Sequence, residues 1–251
     1  MIKMIIAGID EAGRGAVIGP MVLAGVSIDT KDTKRLKAIG VKDSKDLSSK
    51  RREELAKEIE NIAKNIVVIK VPACKISSFK MKGINLDRIE AMKIADIISM
   101  IDAKKVYVDS IEQNSEKFEE MIKEYLPNSD KYKLIVKNYL DESVPVVSAA
   151  SIIAKVERDK EIEEIKKKVN EDFGVGYSHD EKTRKFIEKI LMNEEKPPDY
   201  LRIHWETVED IARKLLEENK KVKKWVFELV LKEGSWQKKL KDFFIKRIMG
   251  E

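Results

Sequence analysis

The chain has 251 residues, and 43% of them are hydrophobic, enough for a real core, which excludes disorder as its main state. Charged residues reach 38%, with 50 Lys and Arg against 45 Asp and Glu, a net +5. A single cysteine, Cys74, excludes an internal disulfide and with it a disulfide-stapled secreted domain.

Ile2 to Ile9 is apolar and β-rich, and it is expected to form a strand that ends at Asp10-Glu11. A Gly-containing stretch leads to a second apolar run, Met21 to Ile28. Ser48 or Ser49 is placed to cap a helix reaching about Lys64, with Leu55, Ile59 and Ile62 on one face. Ile66 to Val71 reads as a strand, and Asn85 to Ile101 as a helix with Ile89, Met92, Ile94, Ile97 and Ile98 on its apolar face. Lys105 to Asp109 is a short strand, Ser115 to Leu126 a helix and Tyr132 to Val136 a strand. Pro145 opens a long helix to about Asn170, since proline suits the first helical position. From Thr183 onward the pattern is helical, broken at Pro197-Pro198. Three early strands followed by strand, helix, strand and helix predict an antiparallel meander continued by parallel crossovers: an α/β fold with a mixed sheet flanked by helices.

The longest apolar run, Val144 to Ala154, has 11 residues and carries Pro145, Ser148 and Ser151. It is too short to span a bilayer, which takes about 20 residues. No N-terminal apolar run with a cleavage site is present, so no signal peptide, no membrane partner and a cytoplasmic location are expected. The positive charge is concentrated late: Arg213 to Glu251 holds 12 Lys and Arg against 6 Asp and Glu. That balance points to a polyanionic partner, or to solvation of an exposed helix.

The string DEAGRG, Asp10 to Gly15, is the first site with chemical content. Adjacent carboxylates repel, and a divalent cation with a preference for hard oxygen ligands would relieve the repulsion. Gly13 and Gly15 let backbone approach a ligand, and Arg14 between them suits a phosphate. Asp109 closes a strand, and Asp141 follows another in the loop before Pro145. If the first and fourth strands are parallel neighbours, these acids emerge at one sheet edge, where open α/β sheets bind ligands. Spacing alone does not choose Asp141 over Glu142, nor exclude Asp102. Cys74 has no activating neighbour and is expected to be buried or half-buried. His179 and His204 have no partners at zinc-ligand spacing. Ser148, Ser151, Lys155 and Arg158 share one face of the long helix; Lys155 is read as facing a phosphate backbone and Arg158 as part of a solvated face.

GIDEAGRG followed by VIGPMVLAGV resembles archaeal ribonuclease HII, a type 2 ribonuclease H. The resemblance continues in order through VKDSKDL, YVDS, VPVVSAASIIAKVERD and GYSHDEKTR, and covers roughly the first 210 residues. It implies the ribonuclease H-like fold, a five-stranded mixed sheet with a C-terminal helical extension. It implies an endonuclease that hydrolyses the RNA strand of RNA–DNA hybrids and cuts 5′ of ribonucleotides embedded in duplex DNA, with Mg²⁺ or Mn²⁺ as cofactor. Asp10, Glu11, Asp109 and Asp141 correspond to the family's catalytic, metal-binding carboxylates. Gly13, Arg14 and Gly15 correspond to the loop at the ribonucleotide, Ser44 and Lys45 to phosphate contacts, and Tyr177 to a tyrosine that stacks on the junction sugar. The chain departs from the family at Ala16, usually proline, at Asn138-Tyr139-Leu140, and at Ser178-His179. Residues 1–212 are therefore expected to be the catalytic domain, working as a monomer, and 213–251 a basic helical tail. In that tail Gln237, Leu240, Phe243 and Phe244 resemble the motif by which repair proteins bind the sliding clamp PCNA.

Overall fold

A computed structural model describes residues 4–41, 47–111 and 114–231. Its sheet has five strands: β1 (Ile5–Ala12), β2 (Met21–Asp29), β3 (Asn65–Val71), β4 (Lys105–Asp109) and β5 (Lys133–Lys137), in the order β3-β2-β1-β4-β5. β1, β2 and β3 form the expected antiparallel meander, and β4 and β5 run parallel to β1. β2 is buried at all nine positions, as befits a strand covered on both faces.

Helices α1 (Thr33–Ile39), α2 (Ser49–Glu60) and α7 (Pro145–Val169) cover one face, through Leu36, Leu55, Ile59, Val147 and Ala150 against Ala24, Val26 and Ile28. Helices α3 (Ala73–Met81), α4 (Leu86–Met100) and α5 (Ser115–Tyr125) cover the other, where Ile94, Ile98 and Phe118 pack on Ile9, Leu23 and Val106. Asn85 caps α4 by accepting from the Arg88 amide at 3.0 Å, and Ser48 caps α2 from the Arg51 amide at 3.3 Å. Pro145 sits at the start of α7, and Asn170 ends it in the left-handed region at φ +53°.

Beyond α7 come α8 (Glu181–Asn193), α9 (Glu206–Glu217) and α10 (Lys224–Leu231), with Pro197-Pro198 between α8 and α9. A third apolar cluster joins Ile187, Val208, Leu215 and Val226 of these helices to Val17 and Ile18. Helix α9 runs unbroken across residues 212 and 213, and α10 belongs to the same cluster. No helix among the described residues is long and apolar enough to cross a membrane.

Several details differ from expectation. Among the described residues β1 begins at Ile5, and it runs on through Asp10 and Glu11, because β2 pairs with it to Ala12 opposite Val22. α2 stops at Glu60, where the Asn61 amide closes the last turn. Cys74 is exposed, because it lies on the outer side of α3 while Ala73 and Ile76 face the core. Ser148 and Ser151 are buried where α7 lies across β1 and β2, and Arg158 is buried beyond the sheet, against Gly13 and Tyr177.

Candidate active site

The two ladders of β1 end at different points. β4 pairs with β1 only as far as Val108 opposite Ile9, whereas β2 holds Asp10 opposite Ala24 and Glu11 opposite Leu23. Asp10 is therefore fixed by strand pairing on one side and open on the other, beside Asp109 at the end of β4. After β5 the chain turns through Tyr139, at φ +61°, into the short helix α6 (Leu140–Ser143), which carries Asp141 back to the sheet edge. Asp141 thus lies in a helix, not in the expected loop. Tyr139 is 66% exposed, and a left-handed backbone is costly for an aromatic residue.

One carboxylate oxygen from each of Asp10, Asp109 and Asp141 lies within 4.8 Å of the other two, and all three residues are buried. Glu142 and Asp102, which spacing left open, are exposed. The cluster is held by its own backbone: the Leu140 amide donates to Asp109 Oδ1 at 2.6 Å, and the Glu11 amide to Asp10 Oδ1 at 2.8 Å. The Ser148 hydroxyl donates to the Asp141 carbonyl, tying α6 to α7. Half-buried Glu11 and Lys155 line the same cavity of about 190 Å³.

Burial and mutual repulsion raise the carboxyl pKa values. Burial, then the Glu11 charge, holds Asp10 well above the ordinary range. Burial and Glu90 push Glu11 up to about 8, and burial and Asp10 push Asp109 up to about 7. Each group binds its proton more tightly folded than unfolded, so from the ordinary carboxylate range up to about pH 8 the folded state holds more protons. Without divalent ions, stability falls as pH rises through that window, and the loss is absent below it. Melting in EDTA is expected to give a higher Tm at about pH 5.5 than at about pH 8.5, with a shallower slope for Asp10→Asn. A slope unchanged by that substitution would count against this origin.

A groove of about 1020 Å³ adjoins the cluster. Gly13, Arg14, Gly15 and Tyr177 line it, with Arg52, Lys155, Lys160 and Lys167 interleaved among acids. Gly13 has φ +79°, and a Cβ there would fall 2.5 Å from Arg158 Nε and 2.8 Å from the Pro20 carbonyl. Gly15 is exposed, and a Cβ there would meet nothing within 4 Å. The Arg14 side chain is engaged on α4: Nε donates to Glu90 at 2.6 Å, and the other end pairs with Asp87. The turn therefore offers its backbone to the groove more readily than its guanidinium. Tyr177 is anchored by an antiparallel bridge to Ala16, its ring 4.5 Å from the Arg158 guanidinium and 5.7 Å from the His179 ring. Ala16 donates its amide to the Gly13 carbonyl at 3.3 Å, a bond that proline would lack. Ser44, Lys45, Gln237, Leu240, Phe243 and Phe244 lie outside the described residues.

Two groups escaped the sequence reading. Glu90 is buried on the inward side of α4, in register with Ile94 and Ile97; an acid at i, i+4, i+7 spacing with core residues was a usable signal. Arg202 is fully buried after the Pro197-Pro198 break and carries no sequence signal. It donates to the carbonyls of Gly13 and Arg14 at 2.6 Å each, and to Gly19 at 3.1 and 3.2 Å. Burial, then the neighbouring Arg158, pushes its pKa down to about 9, so it remains a cation at neutral pH.

A mixed sheet in this order, with three buried aspartates gathered at one edge beside β1 and β4, defines a ribonuclease H-like fold. The ribonuclease HII family model matches residues 7–208, and the chain belongs to that family. Ribonuclease HII of Methanothermobacter thermautotrophicus is 41% identical over 208 residues, 82% of this chain and 98% of the relative. The crystal structure of ribonuclease H2 from Pyrococcus horikoshii superposes with a TM-score of 0.77 at 37% identity, over 85% of this chain and all of that one. Ribonuclease HII in the PCNA complex from Archaeoglobus fulgidus gives 0.73 at 39% identity, over 81% and 96%. The protein is a ribonuclease H enzyme.

Proposed function

We propose that the chain hydrolyses the RNA strand of RNA–DNA hybrids and cuts 5′ of ribonucleotides embedded in duplex DNA, leaving a 3′-OH and a 5′-phosphate. The observation that carries this reading is the gathering of Asp10, Asp109 and Asp141, with Glu11 beside them, at the mouth of a groove floored by the Gly13–Gly15 turn. An all-oxygen donor set this close fits Mg²⁺ or Mn²⁺. Asp10, Asp109 and Asp141 would hold the ions, with Glu11 completing the set. Divalent ions held there would supply Lewis-acid activation of a water and stabilisation of charge at the leaving 3′ oxygen.

The remaining work falls to the chain. Backbone amides of the turn test for the ribose 2′-OH, the group that separates RNA from DNA at one position. Tyr177 packs on the junction sugar and holds the scissile phosphate against the carboxylates. Lys155, at the cluster and in the groove, contributes positive charge to the phosphate. Duplex DNA carrying one ribonucleotide, incubated with and without Mg²⁺, tests the reading. Cleavage 5′ of the ribonucleotide only with the ion is expected; an intact strand, or a cut independent of the sugar, refutes it.

A second reading concerns the tail. The motif Gln237, Leu240, Phe243 and Phe244, with the likeness to a ribonuclease HII captured with PCNA, supports docking on a sliding clamp. Replacing Phe243 and Phe244 by alanine is expected to weaken clamp binding about a hundredfold or more while leaving cleavage of oligonucleotides unchanged. If the two rings fill the enzyme's own core instead, calorimetry will register a loss of about 3–5 kcal/mol for each.

A further inference from the structure

We infer that Arg202 is a positioning residue for the ribonucleotide-reading turn: it fixes the direction in which the Arg14 and Gly15 amides point. The inference rests on the reading of that turn given above. Its basis is peptide geometry. No peptide bond among the described residues is cis, and in a trans peptide the carbonyl of one residue and the N–H of the next point in opposite directions. Arg202 draws the Gly13 and Arg14 carbonyls inward, each at 2.6 Å. The amides of Arg14 and Gly15 must then face away from Arg202. Both residues line the groove, so that direction leads toward the substrate.

The anchor is itself well fixed. The Arg202 side chain also holds the Gly19 carbonyl, its own amide donates to Val17 at 3.0 Å, and its guanidinium lies 4.9 Å from the Trp205 ring. Leu201 bridges to Ile18 beside it. A planar fork with five donors can satisfy three carbonyls at once, which a lysine ammonium in the same space does less completely. The segment preceding α9 therefore completes the reading turn from behind, without touching substrate.

The test compares the full-length parent with Arg202→Lys and with Val208→Ala. The latter thins the same helical cluster without touching the turn. All are assayed on the single-ribonucleotide duplex in Mg²⁺, well below each Tm, and duplex affinity is measured in EDTA. Arg202→Lys is expected to lower kcat about thirtyfold to a hundredfold, with KM and the EDTA affinity changed less than about threefold, as misplaced but intact donors require. Val208→Ala is expected to lower Tm and leave kcat within about twofold. A kcat for Arg202→Lys within threefold of the parent overturns the inference, as does an equal kcat loss in Val208→Ala. Should Arg202→Lys fail to fold, Trp205→Ala loosens the same guanidinium and must give the same split between kcat and KM, or the inference falls. A parent that leaves the ribonucleotide duplex intact refutes the underlying reading, whereas a parent that cuts beside an equally active Arg202→Lys refutes only the positioning role.

Discussion

An Asp10→Asn protein is expected to fold normally and to lose cleavage by about a thousandfold or more, the scale on which removal of a central charge-stabilising group acts. Asp10 is buried, with one carboxylate oxygen within 4.8 Å of those of Asp109 and Asp141 and the Glu11 amide on Oδ1. Asparagine keeps the shape and an oxygen to accept that amide, but it removes the charge a divalent ion requires. Without the ion the same change relieves a buried, repelled carboxylate. Tm in EDTA near pH 8 should then rise, by about 2–4 °C for each kcal/mol relieved in a chain of this size. Adding Mg²⁺ should raise the parent's Tm through linkage and move the variant's little. Near-normal turnover by the folded variant at saturating Mg²⁺ would remove Asp10 from the catalytic set.

Much of the sheet was legible because its strands are apolar runs bounded by turn residues, and α7 because Pro145 and Asn170 mark its ends. The convergence of Asp10 with Asp109 followed from a single assumption, that β1 and β4 are parallel neighbours, which the fold satisfies. The hidden parts share a cause: they depend on contacts between residues far apart in the chain. β1 runs through Asp10 only because β2 pairs there. Arg158 looked like a solvated residue on its own helix, yet it donates to the Val175 carbonyl at 2.9 Å and lies against Tyr177. Arg202 is 183 residues from Gly19, and no periodicity reports such a contact. Arg14 looked free for phosphate because Asp87 and Glu90 lie more than seventy residues away.

Gly8→Ala is expected to be the most damaging small substitution in the sheet. Gly8 sits mid-strand in β1, opposite Val26 on β2 and Tyr107 on β4, with the first turn of α7 directly above it. A Cβ at this position would fall 2.4 Å from the Val146 carbonyl carbon and 2.5 Å from both its oxygen and the Val147 nitrogen. These are backbone atoms, so no rotamer change relieves the clash, and α7 must lift away from the sheet. Overpacking of this kind costs about 3 kcal/mol at the upper end of its usual range. The lower chain entropy of alanine in the unfolded state returns less than about 1 kcal/mol. Tm should fall by roughly 4–12 °C, at 2–4 °C for each kcal/mol. Activity should suffer separately, because α7 carries Ser148 to the Asp141 carbonyl and Lys155 to the mouth of the cluster. A shift of about 1 Å there is enough to cost about a hundredfold in kcat. Gly15→Ala is the control for stability: its Cβ enters open space, and Tm should stay within about 2 °C of the parent. A Gly8→Ala protein that melts with the parent would mean that α7 is not seated against β1 as closely as these contacts require, and the support of the carboxylate cluster from that helix would have to be reassigned.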